Sequence, residues 1–153
     1  LRERFLTMGQ AKVATSAKEA FDLGIFVEGR DQIAWHGDRR IALAKQKVLQ
    51  LHEAGYTRPI PRKDITVLGQ EGLGIVYAGA NAMKAGHYIS EHDQVISEKL
   101  GYVMCGGDLS QAQQVDEQYL LDLEREAFLS LLGTRATLER VQHMLKTGKP
   151  LRN

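Results

Sequence analysis

One cysteine, three prolines and one tryptophan are all that 153 residues contain of those types. A single thiol cannot close an internal disulfide, and such sparing use fits a reducing compartment, so a cytoplasmic protein is expected. Charge of either sign is not in excess: 20 Lys and Arg against 19 Asp and Glu leave +1. That balance gives no broad attraction to nucleic acid or to an anionic membrane surface. No apolar run approaches the roughly 20 residues that a membrane span requires. The opening Leu1-Arg-Glu-Arg-Phe-Leu6 interleaves charge with bulk, unlike a signal peptide. It also starts without Met in a helix-like pattern, the expectation for a piece of a longer polypeptide. Repeats and low-complexity tracts are absent too.

What is present is the composition of a folded globular chain, with 43% hydrophobic and 25% charged residues. The patterning is helical. Ser16-Ala-Lys-Glu19 reads as a capping box that starts a helix over Ala17–Leu23, closed by Gly24. Ile25–Val27 and Ile33–Trp35 read as short extended stretches. Asp38 is the expected cap of a longer helix whose apolar face is Ile41, Ala44, Val48 and Leu51, ending at Gly55. Thr57–Leu68 holds two of the three prolines and reads as an extended connection. Beyond it everything is expected to be helical. Gly72–Met83 is Ala- and Gly-rich, as in a helix packed closely on a neighbour. Ser90 opens a helix with Ile96, Leu100, Val103 and Met104 on one face, stopped by Cys105-Gly-Gly107. Asp116 and Glu117 start the strongest helix, striped by Leu120, Leu123, Ala127, Phe128 and Leu131. Leu138, Val141, Met144 and Leu145 mark a last one. The expected fold is mainly α, with short extended segments only around 25–35 and 59–68. The expected division is 1–56 helical, 57–68 extended connection, and 69–153 a C-terminal helical lobe.

Candidate chemistry is thin. Gly72-Leu-Gly74 lacks the third glycine of a dinucleotide loop, Tyr77 standing there, so close helix packing is the better reading. His87, Glu91, His92 and Asp93 could be a metal set. Adjacent residues point in different directions on a helix, however, and a solvated helix start is preferred. Cys105 has no assured base and reads as a structural thiol. At the C-terminus Arg135, Arg140, Lys146, Lys149 and Arg152 face one acid, Glu139. They either contact an anion or complement the helix dipole.

Two stretches carry a resemblance. Glu117-Gln-Tyr-Leu-Leu-Asp-Leu-Glu-Arg-Glu-Ala-Phe-Leu-Ser-Leu-Leu-Gly133 and Met144-Leu-Lys-Thr-Gly-Lys-Pro-Leu-Arg-Asn153 resemble the C-terminal end of the enoyl-CoA hydratase (crotonase-like) module of bacterial multifunctional 3-hydroxyacyl-CoA dehydrogenases of fatty-acid β-oxidation. Ala11–Gly24 resembles the crotonase segment "S-A-x-E-A-x-x-L-G", and Tyr88–Asp93 and Cys105–Leu109 resemble the multifunctional group. The resemblance implies a C-terminal region without the oxyanion hole and the acids of the reaction, and so no catalytic residue here. It implies that the parent protein uses NAD and acyl-CoA, while this chain holds no cofactor. Phe128 resembles the aromatic lining the acyl-CoA site, and Lys146 or Lys149 a lysine near the CoA phosphates. The implied partners are the rest of the parent polypeptide and further copies, with Leu120, Leu123 and Phe128 buried on self-association. A free-standing helical interaction module is the alternative. A small metal or thiol enzyme using His87, His92 or Cys105 is the third reading.

Overall fold

The computed structural model describes all residues, 1–153. In chain order the elements are α1 (Arg2–Gly9), α2 (Ala17–Asp22), a 3-10 turn (Gly37–Arg39), α3 (Arg40–Glu53), β1 (Ile65–Val67), α4 (Gly69–Ala85), α5 (Glu91–Cys105), β2 (Gln113–Val115), α6 (Glu117–Leu132) and α7 (Arg135–Thr147). The mainly α expectation holds. The chain forms two compact units: Leu1–Gln10 with Pro61–Asn153, and Ala11–Ile60. The sequence grouped residues 1–56 together; the structure instead places the first helix with the C-terminal portion, because α1 packs on α5.

In the larger unit, α4 and α5 approach closely because two glycines permit it. A Cβ on Gly72 would meet Cys105 Sγ at 3.0 Å, and one on Gly101 would meet Val76 Cγ1 at 2.5 Å. The glycine-rich run is therefore a packing surface. Val67, Leu73, Val76, Ala80, Cys105, Leu123 and Ala127 form the buried apolar core. Ser90 and Asp93 make a full capping box at the start of α5, each side chain bonded to the other's amide at 3.1 Å. Gly106, with φ +86°, ends the helix in the left-handed region. Asp116 Oδ1 accepts from Tyr119 N at 2.7 Å to start α6.

This unit is not entirely helical. Within the expected connection, Ile65–Val67 is a strand, and it pairs antiparallel with Gln113–Val115, Ile65 opposite Val115 and Val67 opposite Gln113. Gln113-Gln114 carries no apolar alternation, which is why the second strand is invisible to patterning.

In the smaller unit Ser16 caps α2 as expected, accepting from Glu19 N at 3.1 Å. Glu19 does not reach back to Ser16; it accepts from Thr15 N and Thr15 Oγ1 at 2.7 and 2.6 Å. Residues 25–27 and 33–35 form no strand, since no partner strand exists. The chain bends there instead, with Phe26 edge-on to Phe21 at 5.5 Å. Asp38 lies inside the 3-10 turn, and α3 starts without a side-chain cap. No residue of α3 is buried.

Candidate functional site

The most developed polar arrangement lies where the start of α5 meets α7. Arg140 Nη1 donates to Asp93 Oδ1 at 2.8 Å, with both side chains about four-fifths buried. A second nitrogen, Nη2, donates to Ser90 Oγ at 3.3 Å. Nε of the same guanidinium donates to Asn153 Oδ1 at 2.7 Å. Burial alone would raise the Asp93 carboxyl. Hydrogen bonds from Arg140 and the Ser90 amide outweigh it and hold the group below its usual range. On the neighbouring residue of α5, His92 Nε2 lies 2.8 Å from Thr137 Oγ1, which is 2.9 Å from Thr134 Oγ1. The expected solvated helix start is thus a buried, fully paired joint: His92 and Asp93 turn inward because α7 supplies them with partners. No group of three or more His, Cys, Asp or Glu side chains is placed to hold a metal ion.

The joint also thins out the basic C-terminus. Arg140 serves Asp93, and Arg135 Nε donates to Glu139 Oε1 at 2.8 Å. Lys146 and Lys149 remain exposed, on the last turn of α7 and just beyond Gly148.

An apolar groove of about 430 Å³ runs over α5 and α6. Leu100, Met104, Leu120, Leu121 and Phe128 line it, with Glu117 and Glu124 at its edge. Phe128 is 58% exposed. Neither Lys146 nor Lys149 lines this groove.

Cys105 is fully buried between α4 and α5, and burial pushes its thiol up from the ordinary value. Thiol reagents should therefore label the native protein slower than the unfolded chain by a factor on the order of 10² or more. Rapid stoichiometric labelling under native conditions would contradict this placement.

The fold is mainly helical, and a largely buried ion pair joins the start of α5 to α7. Over 149 residues the chain is 46% identical to a Bacillus subtilis (strain 168) protein described as a probable 3-hydroxyacyl-CoA dehydrogenase. The alignment takes in 97% of this chain and 19% of that protein, so the chain spans about a fifth of its relative's length. No family model and no solved structure matches the chain. No helix is long and apolar enough to cross a membrane.

Proposed function

We propose that this chain serves as a non-catalytic helical part of a 3-hydroxyacyl-CoA dehydrogenase / enoyl-CoA hydratase of fatty-acid β-oxidation, bracing the reaction-bearing portions of a larger polypeptide. The observation that carries the reading is the match along nearly all of this chain to a small part of a much longer dehydrogenase-like protein. The surface supports it. Leu129, Leu138, Val141, Met144 and Leu145 stand exposed on α6 and α7, a quantity of apolar surface that calls for a partner. The crotonase-like assignment rests on the resemblance of 117–133 and 144–153.

Lys146 and Lys149, exposed and without a carboxylate partner, are the residues we assign to the phosphates of an acyl-CoA in the whole protein. Phe128, set in a groove that neither lysine lines, we assign to the packing surface. The test has two arms. The isolated chain is assayed with crotonyl-CoA, and with a 3-hydroxyacyl-CoA plus NAD; no turnover is expected. The Bacillus subtilis relative lacking the matching residues is assayed alongside, and loses the activity of the intact protein. Hydration by the isolated chain, or full activity in the shortened relative, overturns the reading.

A further inference from the structure

Helix α1 packs chiefly on α5. Between it and α4 lies a cavity of about 580 Å³, lined by Phe5 and Leu6 from α1, Val76, Ala80 and Met83 from α4, and Ser97 from α5. That size falls within the range of small-molecule sites. Gly79 opens the α4 wall, since a Cβ there would meet nothing within 4 Å.

The lining is graded from apolar to charged. Val76 and Ala80 are buried, whereas Arg2, the one charged side chain lining the cavity, is exposed. Arg2 belongs to none of the chain's ion pairs. Ordered water is a poor occupant, because it needs several polar partners and only Arg2 and Ser97 offer polar side chains here. A sugar phosphate would leave the apolar floor uncovered, and a bare hydrocarbon would leave the guanidinium unused. An apolar body with an anionic head meets both, the body covering Val76 and Ala80 and the head pairing with Arg2.

We propose that this cavity binds a small amphipathic monoanion, a carboxylate with an apolar body of about ten carbons, its head on Arg2 and its body between α1 and α4. Helix α1 is the movable wall. None of its residues is buried, so it parts from α4 at little cost to admit the ligand. The inference is independent of the proposed function, since neither Phe128, Lys146 nor Lys149 lines this cavity.

Leu1 also lines the cavity, so titrations use the N-acetylated chain, which leaves Arg2 as the only cation there. Calorimetry with decanoate, held below its micellar concentration, should give one site with a Kd on the order of 10⁻⁴ M. Amide exchange within α1 should slow at least fivefold at saturation. Decylammonium, the same body with a cationic head, should bind at least tenfold more weakly. Arg2→Glu should invert that preference, and glutamate suits the first turn of a helix. Gly79→Leu should weaken decanoate binding at least tenfold by filling the cavity, and leucine also favours the helix. Circular dichroism checks that both variants fold; should Gly79→Leu fail to, Gly79→Ala takes its place with a smaller loss. No saturable binding at millimolar decanoate, binding indifferent to the Gly79 substitution, or equal affinity for both head groups overturns the inference. Protection of α1 that grows with protein concentration in the absence of decanoate would give the cavity to a second copy, and overturns it too.

Discussion

Gly69→Ala should lower the melting temperature of the larger unit by about 10 °C or more, the largest effect expected of any single methyl group in this chain. Two costs coincide at this residue. Its φ is +60°, where an L side chain costs roughly 1–2 kcal/mol. The added Cβ would also sit 2.5 Å from the carbonyl oxygen of Leu109 and 2.7 Å from that of Gln111, and backbone cannot turn aside as a side chain can. Relief would mean parting α4 from the 109–111 loop and losing the 2.8 Å bond from Gln70 N to Leu109 O. Together these come to about 3 kcal/mol, and a unit of this size loses about 4 °C per kcal/mol. Gly74→Ala is the control. A Cβ there meets nothing within 4 Å, and alanine in a helix interior should stabilise by up to about 1 kcal/mol. Thermal melts followed at 222 nm compare the two. Equal melting temperatures for Gly69→Ala and wild type would refute the geometry given for the start of α4.

Arg140→Met should cost about 2–3 kcal/mol near neutral pH. Methionine keeps most of the side chain's bulk and removes its charge, leaving the Asp93 carboxylate mostly buried and without its guanidinium. The pH dependence follows from the sign of the Asp93 shift. A carboxyl held below its ordinary value in the folded state stabilises the fold at any pH above the ordinary carboxylate range. That contribution fades as pH falls through the depressed value. The gap between wild type and Arg140→Met should accordingly be wide at pH 7 and close in acid. Denaturant unfolding at a series of pH values measures it. A gap independent of pH would mean that Arg140 acts by packing rather than through Asp93.

Helices were legible wherever local chemistry decides them. Ser90 and Asp116 start α5 and α6 through their side chains, Gly106 ends α5 because it has none, and the close-packing reading of the glycine-rich run was a reading of volume alone. Pairings distant in sequence were not legible. The β1–β2 pairing joins residues 65–67 to 113–115, and Gln113-Gln114 bears no strand signature. Likewise His92 and Asp93 read as solvated because their partners, Thr137 and Arg140, lie some 45 positions further along. Arg140 looked like one of several loose cations at the C-terminus, and only the crossing of α5 and α7 shows that its charge is already taken. The Asp38 cap fails for a local reason instead, the chain tightening into a 3-10 turn over Gly37–Arg39 that takes Asp38 inside it. As for the candidate site, sequence could nominate Phe128, Lys146 and Lys149, but not tell that one lies in a groove and the others outside it.

The larger unit is discontinuous along the chain. Before α1 can dock, the whole stretch Ala11–Ile60 must be looped out, at an entropic cost of about 3–4 kcal/mol for a loop of that length. α1 has little with which to offset it, since none of its residues is buried. Within the larger unit it is therefore an element whose detachment regains much freedom while sacrificing little packing. On warming, that unit should release α1 ahead of α4, α5 and α6, which hold its buried residues, inverting the order in which a ribosome delivers them.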